Sequence, residues 1–244
     1  FWLKPLPIFI FQGTQGTPTT PGPPQAQQGY PCDPPPLLTQ AVSSMKLLSL
    51  IIYRWKEDNP VELAVCQELS SFPFFQRYTV NQHIKFHSRL VVSRTPVGRR
   101  QSIEFDQGIG QCHTWVSPQG VGAAVLVDAE YPMRVAFALL SESVRVFLET
   151  AAGKWEDAEQ DTAIPCPQVE ALFLKFQDPS EADKLTKIEK DLEEVKGTVM
   201  QSMDDLLKRG ESLDQLMQKS KDLSNTSVQF YRTAKKNNQC CKLY

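Results

Sequence analysis

The sequence predicts an α/β domain with an antiparallel sheet, followed by a long α-helical coiled-coil segment and preceded by a proline-rich tail. Three observations carry this. Residues 1–44 hold ten of the chain's 18 prolines and two charges, Lys4 and Asp33. Short apolar runs and helical periodicities then alternate from Met45 to about residue 178. Beyond Pro179 the composition shifts to Lys, Glu, Asp, Leu and Ser, with a seven-residue apolar repeat.

The tail cannot build a core and is expected to be disordered or extended. The first methionine is Met45, where ordered-looking sequence begins, so residues 1–44 are expected to lie upstream of the working protein. A genuine proline-rich tail is the alternative. "FWLKPLPIFIF" carries two prolines and no small-residue cleavage site, and so does not read as a signal peptide.

The working domain, residues 45–178, reads in order ββαβββαα. "LLSLIIY" is strand-like by length, "KEDNP" breaks it, and "VELAVCQEL" is a second strand. A helix is expected from about Phe74 to Ser93. At about 100° per residue, Val80, Ile84 and Val91 form one stripe, while Leu90, Phe86 and Phe75 continue round the cylinder beside it. The apolar arc is wider than one buried face requires. Phe75, Phe86 and Leu90 are therefore candidates for a groove wall, the alternative being that all simply pack in the core. Three strands follow in "SIEFDQ", "GQCHTWVS" and "GAAVLVDAE". "YPMRVAFALLSESVRVFLE" has proline at a helix start and apolar residues at helical spacing. Lys154–Thr162 reads as an acidic loop, and "VEALFLKF" as a short last helix.

The C-terminal segment, residues 179–239, carries the functional signal. Alternating steps of three and four give Leu185, Ile188, Leu192, Val195, Val199, Ser202, Leu206, Arg209, Leu213, Leu216, Ser220, Leu223, Ser227, Phe230 and Ala234. Eleven of these fifteen are apolar and three are serine, an unbroken coiled-coil seam. Arg209 is the exception. A buried guanidinium costs several kcal/mol unless its donors are satisfied, and a homo-oligomer would stack arginine on arginine. A hetero-assembly whose other helices offer neutral acceptors at that layer resolves both problems and fixes the register. Alone, with interior Gly197 and Gly210, the helix is expected to be mostly unfolded, because ordering costs about 1–2 kcal/mol per residue.

The chain ends "NNQCCKLY", residues 237–244. Cys241 is fourth from the end, the prenylation position of a C-terminal box. One lipid chain anchors marginally and two anchor stably. The adjacent pair therefore suggests prenyl on Cys241 and palmitoyl on Cys240, with Arg232, Lys235 and Lys236 upstream to favour anionic lipid. The final Lys242-Leu243-Tyr244 departs from the usual form of the box.

The words "SSFPFFQR", "DAEYPMRVAFALL", "LLKRGESLDQL" and "FYRTAKKNNQCC" closely resemble the prenylated longin-type R-SNAREs of the YKT type, the synaptobrevin homologues. The resemblance runs from Met45 to Cys241. It implies a profilin-like longin domain and an R-SNARE motif, with Arg209 as the central-layer arginine facing glutamines of Qa, Qb and Qc helices. It implies farnesyl on Cys241, palmitoyl on Cys240, and roles in ER–Golgi, Golgi and vacuolar or lysosomal fusion. The expected setting is a cytoplasmic pool and the cytoplasmic face of those membranes.

Other classes find little support. The formal net charge of −2 gives no reason to expect nucleic acid, and no apolar run approaches the about 18 residues that span a bilayer. The six cysteines lack zinc-ligand spacing, which points to a reduced, cytosolic chain in which the Asn225-Thr226-Ser227 sequon is not used. His83 and His87 sit i,i+4 without a third ligand. Cys112-His113 lacks an orienting group, and "AAGKW" is not a phosphate loop. No cofactor, metal, small-molecule substrate or catalytic residue is expected. The rival reading is a longin-type trafficking adaptor that dimerises through its coiled coil.

Overall fold

The computed structural model describes residues 46–105, 110–179, 198 and 200–241, apart from the side chains of residues 234 and 236–241. The expectations for residues 1–44 and for Leu185, Ile188, Leu192, Val195 and Val199 lie outside the described residues, as do those for the side chains of Ala234, Cys240 and Cys241.

Six strands form one sheet. β1 (Leu47–Arg54) and β2 (Val61–Gln67) precede helix α1 (Phe74–Arg94); β3 (Arg100–Glu104), β4 (Gln111–Val116) and β5 (Val121–Val127) follow it. Helices α2 (Met133–Thr150) and α3 (Pro167–Lys175) complete the domain. The ββαβββαα order expected from the sequence is the order observed. The strand order in space is β2-β1-β5-β4-β3-β6, where β6 (Met200–Ser202) comes from the C-terminal segment.

The sheet is mixed, where the sequence led us to expect it antiparallel. The first five strands pair antiparallel, but β6 lies parallel to β3, with Ser102 opposite Met200 and Glu104 opposite Ser202. A three-residue strand within a coiled-coil register leaves no periodicity to read. It satisfies backbone groups of β3 that would otherwise face solvent as a sheet edge.

β5 is buried at every position, which places it at the centre. Its alternate side chains serve two cores. Val121, Ala123, Val125 and Val127 meet α2 and α3 residues such as Phe137, Leu140, Phe147 and Phe173. Ala124 and Leu126 join the cluster on the α1 side. Gly122 permits the close approach of α1: a Cβ there would stand 2.9 Å from a Val92 methyl.

The stretch Lys154–Thr162 is more than a loop. Trp155 is buried in the α2-side core. The chain then follows the edge of β2, where Thr162 N–H donates to Glu62 O at 2.9 Å and Ile164 N–H to Leu63 O at 2.8 Å. The acidic composition masked this, because Asp161 is spent on an internal contact described below.

The C-terminal segment, expected to form a long helix with partners and to be mostly unfolded alone, lies in short pieces in this single chain. The described part is not one continuous helix. It comprises β6, a 3-10 turn at Asp204–Leu206, helix α4 (Leu213–Lys219) and helix α5 (Asn225–Cys241). Gly210 has φ +86°, a left-handed conformation that no α-helix passes through. A helix with one apolar stripe and no partner helix has nothing to bury it. The chain instead breaks into short pieces that fit a surface already present.

Candidate functional site

That surface is the outer face of α1. Its inner face packs on the sheet: Tyr53 Oη lies 2.7 Å from Ser88 Oγ, Val92 overlies Gly122, and Thr95 Oγ1 lies 3.0 Å from Thr114 Oγ1. Val80, Ile84 and Val91 share this side at about 100° per residue. Gln82, His83, Phe86, Arg89, Leu90 and Arg94 share the other. Phe86 and Leu90 of the expected second stripe thus lie on the side turned away from the sheet.

The C-terminal segment runs antiparallel to α1 across that outer face. Arg94 meets Glu211 at 2.9 Å. Arg89 meets Asp222 at 2.7 Å. Gln82 Oε1 accepts from Ser224 N–H and from Ser227 Oγ, at 3.0 and 2.7 Å. His83 Nε2 donates to the Ser227 carbonyl at 3.2 Å, and its ring stacks on Tyr231 with centroids 6.0 Å apart. Between these polar anchors, Met203, Leu206, Met217 and Val228 are buried in one cluster with Phe86 and Leu90. Burying such a side chain is worth about 1.5–3 kcal/mol.

The sequence-predicted residues distribute as follows. Phe86 and Leu90 are 5% and 9% exposed within this contact. Phe75 is 78% exposed and forms no wall of it; it sits in the first turn of α1, beyond the last anchor at Gln82. Leu206 of the seam is buried, and Leu213, Leu216 and Leu223 pack against the cluster partly buried. Phe230 is 39% exposed, and Arg209 is exposed beside the Gly210 turn. Met203, Met217 and Val228 are buried although none belongs to the seam. A chain broken at Gly210 presents different faces before and after the break, which a single helical register cannot foresee.

Arg89 is the electrostatic centre. It is 7% exposed. Nε and an Nη donate to both oxygens of Asp222, at 2.7 and 3.0 Å. The same guanidinium reaches both oxygens of Asp161 at 3.0 and 3.1 Å and donates to the Pro60 carbonyl. It also lies 5.4 Å over the Tyr53 ring. Burial works against its charge, but the Asp222 and Asp161 carboxylates more than compensate and raise its pKa. Burial likewise opposes ionised Asp161, yet the Glu62 N–H and Arg89 hold its carboxyl below the usual range. Periodicity gave no sign of this hub: Arg89, Asp161 and Asp222 come from three separated stretches of chain.

His83 and His87 do not resemble a metal pair. Their rings stack at 5.9 Å, and His87 Nδ1 donates to the His83 carbonyl at 2.8 Å. Burial, with the neighbouring His87, pushes His83 down to about 3; burial pushes His87 down to about 4. Both are neutral rings packed in the contact. Cys112 and His113 point to opposite faces of β4: Cys112 joins the α1-side core, while His113 meets Ser102 Oγ at 2.8 Å and Phe137 on the other. They cannot act on one substrate atom.

Comparison with known proteins agrees with this architecture. The longin model, described as a regulated-SNARE-like domain, matches residues 69–170, and the synaptobrevin model matches residues 184–243. The chain is 37% identical over 201 residues to the VAMP-like protein YKT61 of Arabidopsis thaliana, covering 82% of this chain and 100% of that one. It is 36% identical over 199 residues to the synaptobrevin homolog YKT6 of Saccharomyces cerevisiae, covering 81% and 98%. The Schizosaccharomyces pombe homolog gives 36% over 199 residues, with the same coverage. These are proteins of vesicle trafficking and not enzymes. The two family models, with identities of 36–37% over nearly the full length of these relatives, show that the chain belongs to the YKT6 family of longin-type R-SNAREs.

Proposed function

We propose that the chain drives membrane fusion by assembling its C-terminal segment with Qa, Qb and Qc helices into a four-helix bundle, and that the longin domain opposes this by holding the segment on α1. One observation carries the reading. Leu206, Leu213, Leu216 and Leu223 belong to the seam that a bundle must bury, and the same residues pack against the α1-side cluster. They cannot serve both surfaces at once, so binding to α1 and assembly compete.

Arg209 fits this role. It is exposed in the closed arrangement and is free of the α1 contact. In a bundle its donors require acceptors at the same layer, which glutamine carbonyls supply. Among the described residues no helix is long and apolar enough to cross a membrane. Attachment through prenyl on Cys241 and palmitoyl on Cys240 would transmit the work of assembly to the bilayer, in ER–Golgi, Golgi and vacuolar or lysosomal traffic.

The test is to mix the full recombinant chain with Q-SNARE helices. A heat-stable quaternary complex is expected, forming faster with Phe86→Glu, which places a charge in the closed contact. Absence of any complex from both proteins would refute the assembly reading. Equal rates, with the longin domain still folded, would refute the competition.

A further inference from the structure

The C-terminal segment is interrupted on both sides of α4, and the two interruptions differ in kind. The first carries Gly210 at φ +86°. The second, Ser220–Ser224 between α4 and α5, reads Ser-Lys-Asp-Leu-Ser and contains neither glycine nor proline. None of these residue types forbids a helix. The seam counts through Ser220, Leu223 and Ser227 without a shift. Yet Ser220 is extended, at φ −72° and ψ 136°, where α4 ends. The cause lies outside the segment.

Three donors of this region converge on one atom of α1, Gln82 Oε1. The Ser224 N–H and the Ser224 hydroxyl each donate to it at 3.0 Å, and the Ser227 hydroxyl at 2.7 Å. In an uninterrupted helix the Ser224 N–H would donate to the Ser220 carbonyl, four residues back. Gln82 and helix continuity therefore compete for one N–H. Ser224, so held, caps α5: its Oγ accepts from the Ser227 N–H at 3.3 Å, and its carbonyl from the Val228 N–H at 3.1 Å.

The spacing of the anchors acts in the same direction. Arg89, seven residues beyond Gln82, holds Asp222. The two α1 residues stand about 10 Å apart along the helix axis, at 1.5 Å per residue. Asp222 and Ser224 would be about 3 Å apart along a helix and about 7 Å apart in an extended chain. The extended form is the one that spans both anchors.

We propose that Gln82 is a positioning residue of the closed arrangement: its side-chain oxygen takes the Ser224 N–H away from Ser220 and so keeps α4 and α5 from joining into one helix. Once the segment leaves α1, nothing in Ser220–Ser224 prevents the join, and the seam from Leu213 to Phe230 becomes continuous, as a bundle requires. The consequence for assembly rests on the competition proposed above. The break itself does not.

The test compares Gln82→Met, which keeps the side-chain length and removes the acceptor, with Gln82→Glu, which keeps an acceptor. Gln82 is half-buried, and Met and Glu are both good helix formers, so α1 accommodates either. Backbone NMR on the unlipidated full chain reads the 13Cα shifts of Asp222, Leu223 and Ser224. In Gln82→Met these should move downfield, toward helical values. In Gln82→Glu they should stay as in the wild type, with β1 and β5 unchanged in both variants. Unmoved shifts in Gln82→Met, or the same displacement in both variants, overturn the proposal. Assembly with Q-SNARE helices should be about fivefold faster for Gln82→Met, the weight of about one net hydrogen bond. Helical shifts without faster assembly would uphold the role of Gln82 and refute the competition instead, because the shifts are read on the single chain.

Discussion

Arg89 and Asp222 lie 133 residues apart in sequence and are joined by two hydrogen bonds of 2.7 and 3.0 Å, with both side chains less than a tenth exposed. The pair ties the C-terminal segment to the middle of α1. Asp161 and Glu62 close round the same guanidinium, at 3.0 and 3.8 Å, so the hub also binds β2 and the stretch Lys154–Thr162 that straps its edge.

Removing one partner of a buried ion pair costs about 3–5 kcal/mol, because the other charge remains buried. Asp222→Ala is expected to fall at the lower end, since Asp161 still neutralises Arg89. The loss should be local. Hydrogen exchange should accelerate in residues 200–232 while β1 and β5 stay protected. Unchanged protection in the segment would show that Asp222 does not hold it.

Gly210 decides whether the segment is broken or continuous. A Cβ there meets nothing within 4 Å, so Gly210→Ala introduces conformational strain alone. The left-handed conformation costs a non-glycine residue about 1–2 kcal/mol, whereas in a helix interior Ala is better than Gly by about 1 kcal/mol. Both effects favour the extended helix. Assembly with Q-SNARE helices should be faster for Gly210→Ala, and an unchanged rate in stopped-flow measurements would contradict this.

Buried His83 and half-buried His87 make the closed arrangement acid-sensitive. His83 and His87 titrate at about 3 and about 4 in the folded chain, below the ordinary value of about 6.5. The unfolded chain thus takes up protons first. Their contribution is complete above about pH 6.5 and is lost as pH falls toward 4 for His87 and toward 3 for His83. Tm should decline over that interval, and the decline should be shallower in His83→Phe, whose ring keeps the stacking on Tyr231 without a titratable group. Parallel Tm profiles would argue against it.

Arg209 separates the monomer from the complex. It is exposed here, so Arg209→Glu should leave the monomer's Tm nearly unchanged, within the about 0.5 kcal/mol typical of surface sites. The same change should weaken a quaternary complex strongly, and Arg209→Gln should weaken it less. Equal thermal stability of the wild-type and Arg209→Glu complexes would remove Arg209 from the central layer.

The lipid assignment predicts an ordered pair of defects. Cys241→Ser should leave the protein wholly in the soluble fraction, while Cys240→Ser should weaken retention, because one chain anchors marginally and two anchor stably. Fractionation showing Cys241→Ser firmly on membranes would refute prenylation at Cys241.

The longin architecture entered through resemblance; the order of strands and helices and the apolar periodicity of α1 were legible in the sequence by itself. These are local: periods of 2 and 3.6 residues register at once in which side chains are apolar. Tertiary structure alone decided what the second stripe of α1 faces and what shape the seam takes. The Arg89 hub draws on residues from α1, the strap and the C-terminal segment, and pairing over such distances leaves no periodic trace. The parallel β6 and the left-handed Gly210 run against the local register outright. The segment's helical preference needs partner helices before it can be satisfied. Where α1 is the surface at hand, the chain gives up the helix around Gly210 and buries Met203, Met217 and Val228, none of them in the seam.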